Sequence, residues 1–340
     1  MRTAFGAEFA GAQGYLDSPT VGLPPAFVAE AVAAHLDAWR RGAVYAPDFD
    51  RDVEAARAGY ASLVGVAPEA VAIGGSVSAL LGLIAASVPD GVRVATVAGE
   101  FTSVTFPFAA QAGRGVTVTE LAPGELEQRA GEFDVVAVSL VQSASGRTLD
   151  VATLRANAGS AVTVIDVTQA LGWCAVDLSW AAVTVGGAYK WLLAPRGMAW
   201  MSVRADLLEG ITPHNANWYA GQDPWATVYG LPLRLAPSAK RLDTSPSWAS
   251  AIGAGAALPW LAALDRSAVH RHTVGLAATV RRELDLPPAE SAIVSIPVAG
   301  AADRLRTAGI RAAVRAGAVR VGFHLYNTED DVDRLLEALR

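Results

Sequence analysis

The chain has 340 residues, 52% hydrophobic and 18% charged, with a formal net charge of −6 at pH 7. That balance supports a sizeable core and excludes a largely disordered chain, and the single cysteine, Cys174, excludes an intrachain disulfide framework or a Cys-based zinc site. Scattered arginines leave no footprint for nucleic acid or an anionic membrane, and the apolar stretches fall short of the ~20 residues of a bilayer span, so a small ligand is expected.

Met1 to Glu8 places an acid where a secretory signal needs an apolar core, which predicts a cytoplasmic protein. From about Val53 to Val203, short β-rich runs alternate with Ala/Leu-rich helical stretches, the pattern of an α/β fold with a mostly parallel sheet covered by helices. Strands are predicted at Ala70–Ile73, Val92–Val97, Val116–Glu120, Val135–Val141, Val162–Asp166, Ala182–Val185 and Met198–Val203. They read as continuous apolar runs, as strands buried on both faces do. A stretch rich in Pro and Trp, from Pro213 to Pro237, interrupts the alternation and predicts loops near the site. Helical patterns follow at Ser247–Leu264 and Ser267–Leu284, then short strands around Ile293–Val298 and Ala318–Phe323. A closing helix, Thr328–Leu339, opens on a capping box with acids in its first turn. The chain therefore divides into a large domain, residues 18–235, and a small α+β domain built from residues 1–17 and 236–340.

Ligands of open parallel sheets sit beyond the carboxyl ends of the strands, so polar residues there are the candidates. The turn Gly74-Gly75-Ser76-Val77-Ser78 leads into a helix and offers backbone N–H groups and hydroxyls to an anion, most naturally phosphate. It matches neither the P-loop nor the dinucleotide spacing. After the next strand, Gly99-Glu100-Phe101 puts a ring at the rim of the same crevice. Asp166 ends an apolar strand with Gln169 three residues on, and a carboxylate so placed needs a cation or donors. Lys190 is one of only two lysines, in a run, Val183 to Trp191, that carries no other charge. Arginine serves nearly everywhere else as the cation, and only lysine can form an imine.

Phosphate turn, ring, strand-end acid with its amide, and lysine, in that order, resemble the fold type I pyridoxal-phosphate enzymes, and within them the class V aminotransferase family. The likeness covers essentially the whole chain and extends to carbon–sulfur lyase, isopenicillin N epimerase-like and kynureninase-like members. Tyr15-Leu16-Asp17-Ser18-Pro19 resembles the family's opening strand, Asp166-Val167-Thr168-Gln169 with Lys190 its Asp-x-x-Gln and Lys pair, and Arg320 to Thr328 its Arg-x-Ser-x-x-x-Tyr-Asn-Thr segment. The resemblance implies a large domain with a seven-stranded, mostly parallel sheet and a small C-terminal domain. It implies that Lys190 holds the cofactor as an imine and then moves the Cα proton, while Asp166 pairs with the pyridine nitrogen. Phe101 would stack on the ring and Gln169 would reach its phenolate oxygen, with Gln142 or Ser143 nearby. Ser76, Val77 and Ser78 would hold the phosphate, and Arg320 would clamp the substrate carboxylate. Ser245, in Lys240 to Trp248, resembles the residue that crosses a homodimer interface to the partner's phosphate, which leaves Lys240 structural or phosphate-proximal. Trp218 and Tyr219 are placed as walls of the substrate space.

Two departures from the family pattern carry weight. Gly187-Ala188-Tyr189-Lys190 replaces Ser-x-His-Lys, as in kynureninase-like branches, and the short segment from Gly309 to Arg320 carries no cysteine. A Cys-dependent cysteine desulfurase is therefore not expected. The resemblance implies chemistry on an amino acid through an external aldimine and a quinonoid carbanion, leading to transamination or β-elimination, with epimerisation as the alternative outcome. A pyridoxal-phosphate-binding regulatory protein is the non-enzymatic alternative, but no DNA-binding domain is appended. A nicotinamide dehydrogenase would need a Gly-x-Gly-x-x-Gly turn that this sequence lacks.

Overall fold

The computed structural model describes all 340 residues. A hairpin of β1 (Arg2–Ala4) and β2 (Ala7–Phe9) opens the chain. The central sheet comprises β3 (Val71–Gly74), β4 (Arg93–Val97), β5 (Thr117–Leu121), β6 (Val135–Ser139), β7 (Val162–Asp166), β8 (Val183–Gly187) and β9 (Ala199–Val203). Their order is β3-β9-β8-β7-β6-β4-β5. β5, β4, β6, β7 and β8 are parallel neighbours, whereas β9 runs against both β8 and β3. The connections explain the difference. Crossover helices such as Thr102–Ala109 and Val151–Asn157 return the chain in parallel, but between β8 and β9 there is only a loop, so β9 comes back antiparallel.

Both faces of this sheet are covered, and every residue of β6, β8 and β9 is buried. Tyr60, Trp173, Trp191 and Trp200 pack on one face, and Leu80, Ile84, Phe108 and Met201 on the other. Helix Trp248–Ala263 lies along helix Asp50–Val64. Glycine at position 59 permits the close approach, because a Cβ there would stand 2.7 Å from Leu258 Cβ. None of the helices is long and apolar enough to cross a membrane.

A second, antiparallel sheet has the order β10 (Ile293–Ile296), β12 (Ala318–Gly322), β11 (Ala313–Arg315). Helices Arg266–Glu283 and Glu329–Leu339 cover it around a third core that includes Leu16, Val280, Phe323 and Leu335. The N-terminal segment reaches this sheet without forming the expected opening strand. Tyr15 and Asp17 make single bridges to Arg311 and Gly322. The chain then turns, with Thr20 N–H donating to Asp17 C=O, and Pro19 has no N–H with which to continue a ladder. Asp331 locks the junction: its carboxylate accepts from Arg2, from the Gly14 N–H and from the Thr328 N–H at the start of the last helix.

Candidate active site

Parallel registry brings the polar strand ends to one edge. Ser139 at the end of β6 pairs with Asp166 at the end of β7, and β8 leads directly to Lys190. Beyond β3, Ser76 takes an extended conformation and its hydroxyl accepts from the Ala79 N–H at 3.2 Å, capping helix Val77–Ser87. The Ser78 hydroxyl lies 3.3 Å from that of Ser76. Ser76, Val77 and Ser78 line a crevice of about 260 Å³ whose walls include Phe101, Asp166, Gln169 and Lys190.

Asp166 is 5% exposed, and burial holds its carboxyl above the usual range, opposed by hydrogen bonds from Thr168 and by the nearby Lys190 charge. Its Oδ1 accepts from the Thr168 N–H at 2.8 Å. Burial likewise pushes Lys190 down to about 8; Asp166 works in the opposite direction, and Arg320 adds to the lowering. The Lys190 Nζ stands 5.4 Å from the centroid of the Phe101 ring and 5.7 Å from that of Tyr189. Glu100 fixes Phe101 from behind. Its buried carboxylate accepts from the Phe101 N–H at 2.6 Å, the Ser139 hydroxyl at 2.7 Å and the Ser139 N–H at 2.7 Å. Lys240 has a different setting, 3.4 Å from Glu54 Oε1 and over the Tyr219 ring.

One hydrogen-bonded chain links the amide to the arginine. Trp191 Nε1 donates to Gln169 Oε1 at 2.8 Å, which turns the Gln169 amino group toward Ser143 Oγ and the Pro19 carbonyl, each at 3.0 Å. Arg320 is buried and donates through Nη1 to the Ser143 carbonyl at 2.7 Å and through Nη2 to Thr20 Oγ1 at 2.7 Å. Its Nε is buried without a partner, and Asp17 Oδ1 lies 3.9 Å from Nη2. Burial lowers its affinity for a proton to about 10, with Arg315 adding to the effect, so it remains charged at neutral pH. Arg320, Ser143, Phe101 and Lys190 also line an adjoining cavity of about 550 Å³, whose apolar side is supplied by helix Ala26–Arg40.

Four expected site residues lie outside both spaces. Gln142 spends its amide on local backbone, donating to Gly99 C=O and accepting from the Ala144 and Ser145 N–H groups, so Ser143 is the one of that pair at the crevice. Trp218 and Tyr219, expected to wall the substrate space, line neither of the two spaces. Tyr219 is buried with its hydroxyl donating to Asp50 Oδ1 at 2.7 Å, and Trp218 packs on Tyr219 and Trp225. Ser245 is exposed, just beyond Thr244, whose N–H donates to Ile73 C=O. Cys174 sits apart in a small cavity with Trp173 and Arg266, and burial pushes its thiol up to about 12. The sequence reading assigned no part to Glu100, Trp191 or Thr20. Glu100 and Trp191 each adjoin a residue it did single out, whereas Thr20 meets Arg320 only through the fold.

The profile of the family described as Aminotransferase class-V matches residues 15–302. A relative from Bacillus subtilis strain 168, described as the uncharacterized aminotransferase YcbU, is 26% identical over 312 residues, covering 84% of this chain and 82% of its own. Among solved structures, the apo cysteine desulfurase from Thermococcus onnurineus NA1 superposes with a TM-score of 0.81 at 20% identity, covering 95% of this chain and 92% of that one. A variant of the C-DES protein with glycine covalently linked to its PLP cofactor gives a TM-score of 0.84 at 17% identity, covering 97% and 96%.

Proposed function

The chain belongs to the class V aminotransferase family and is a pyridoxal-phosphate-dependent enzyme, and from that premise we propose that it acts on an amino acid by transamination or β-elimination in the crevice of Lys190, Asp166 and Arg320. The observation that carries this reading is the convergence of a desolvated lysine, a buried carboxylate and a stacking ring on one crevice. The donor set fits the cofactor. The buried Asp166 carboxylate lines the crevice where it can meet a pyridine N–H, Lys190 Nζ lies over the Phe101 ring, and the capped start of helix Val77–Ser87 offers N–H groups and hydroxyls to a phosphate. When bound, the cofactor supplies an electron sink for negative charge developing at the substrate Cα.

The protein's own part is positioning and proton transfer. Arg320 receives the substrate carboxylate from a site preset by Ser143 and Thr20, so little side-chain freedom is lost when the substrate binds. Lys190 Nζ, with its proton affinity lowered by burial, takes the proton from Cα and returns it. Gln169 is locked in one amide orientation by Trp191, which leaves its amino group on the crevice side. Burial of Cys174 away from the crevice is consistent with chemistry that uses no protein thiol. A homodimer is part of the proposal. It is supported by exposed Ser245 beside the strand that ends in the phosphate turn, and by apolar surface at Trp39 and Tyr45, which are 64% and 67% exposed.

The test is an absorption spectrum with product analysis. Wild-type protein loaded with cofactor is expected to show a visible band that shifts with amino acids, and Lys190→Ala protein to lack that band. Formation of a keto acid with transfer of the amino group identifies transamination, and release of pyruvate from a β-substituted substrate identifies elimination. An unchanged band in Lys190→Ala removes the lysine assignment.

A further inference from the structure

We propose that the substrate is an amino acid with a second anionic group, and that Arg315 is the residue that selects it. The inference rests on the reading of the crevice as an amino-acid site. Its observation is an excess of positive charge around the adjoining cavity. Lys190, Arg196, Arg315 and Arg320 line that space, and neither Asp nor Glu does. Arg315 and Arg196 form no ion pair with any acid of the chain, and the nearest acid to Arg320 is Asp17, at 3.9 Å. Away from this cavity, Arg93, Arg114, Arg129 and Arg204 each meet a carboxylate within 3.0 Å.

Geometry makes the excess local. Arg320 Nη2 and Arg315 Nη2 donate to the same acceptor, Thr20 Oγ1, at 2.7 and 3.4 Å. Two guanidinium groups held on one hydroxyl repel each other, and the repulsion is relieved when anions occupy the space between and beside them. Their different settings divide the work. Arg320, buried on β12, is fixed against Ser143, as a clamp for the carboxylate common to all amino acids requires. Arg315, at the end of β11 and exposed, stands at the mouth, where a side chain would extend. Arg196 lies over the Tyr189 ring, 5.0 Å from its centroid, and lines the same cavity from the opposite chain segment. At about 550 Å³ the space exceeds what a small neutral amino acid fills, and its unpaired cations call for a carboxylate, sulfonate or phosphate at the distal end.

Isosteric pairs separate charge from size. Spectral titration of the cofactor-loaded protein with aspartate against asparagine, and glutamate against glutamine, is expected to show at least about tenfold tighter binding of the acid. Arg315→Ala should bring the acid-to-amide ratio close to one, with the loss falling on the acid, and Arg315→Lys should restore part of it. A wild-type ratio of one or below overturns the proposal. So does an equal loss for both members of each pair in Arg315→Ala, which would mean that Arg315 shares the common carboxylate with Arg320. If the wild-type protein shows no lysine-dependent band, the reading of the crevice itself fails and this inference with it; a normal band with a flat ratio removes only the inference.

Discussion

Burial weakens Lys190's hold on its proton, to about 8, and that has a measurable consequence for cofactor capture. Only the neutral amine is nucleophilic, so its fraction, and with it the rate at which apo-protein takes up the cofactor covalently, should rise about tenfold per pH unit below pH 8 and level off above it. A lysine at the ordinary value of 10.5 would keep gaining up to about pH 10, and stopped-flow absorbance across this range distinguishes the two. For Arg320→Lys, loss of the planar fork should raise KM for amino acids by about 10- to 100-fold while the visible band stays in place. Unaltered KM would remove the clamp. The candidate residues that converge on one crevice stood out in the sequence because few side chains offer such chemistry: one lysine in an apolar run, one acid at a strand end, one turn of glycine and serine. Thr20 and Trp191 did not, since their part is to orient Arg320 and Gln169, and hydrogen bonds spanning 300 and 22 residues leave no local pattern.

Among the elements, the Gly75–Ser78 turn that follows β3 depends on a tether from far along the chain. Asp243 accepts from the Ile73 N–H at 2.8 Å and from Arg57 Nη2 at 2.6 Å, and Arg57 also donates to the Val71 carbonyl. β3 is thereby fixed at both ends to the segment that carries Ser245. The pair is buried, and burial pushes the Asp243 carboxyl up to about 6 although Arg57 and the Ile73 N–H oppose the rise. Asp243→Ala should cost about 2–3 kcal/mol in stability, because it removes the buried acceptor of Arg57 and of the Ile73 N–H and leaves Arg57 only its half-exposed ion-pair partner Glu54. Urea unfolding measures this, and a loss below about 1 kcal/mol would show the pair to be dispensable. Strands buried on both faces were visible as apolar runs. The reversal of β9 was not, since the direction of a strand is set by what connects it and not by its own residues. The opening segment Tyr15 to Pro19 reads as a strand but meets the small sheet at two points only.

At the scale of the whole molecule, the site draws on both sheets. The Ser76–Ser78 turn, Asp166 and Lys190 follow strands of the central one, and Arg320 and Arg315 belong to the small one. The N-terminal segment links them: Asp331 of the last helix holds Arg2 and Gly14, and the Pro19 carbonyl accepts from Gln169 beyond β7. The two-part plan was legible in the change from strand–helix alternation to long helices, and the family likeness supplied the expectation of a dimer. Sedimentation at micromolar concentration should give twice the mass of one chain, and Ser245→Arg should weaken cofactor retention if that residue reaches the partner's phosphate site. A monomer with full activity would contradict both. The most direct test of the central claim is chemical. Borohydride reduction of the cofactor-loaded enzyme, proteolysis and mass spectrometry should find the cofactor on the peptide that contains Lys190. Label on the Lys240 peptide, or no label on either, would contradict the account.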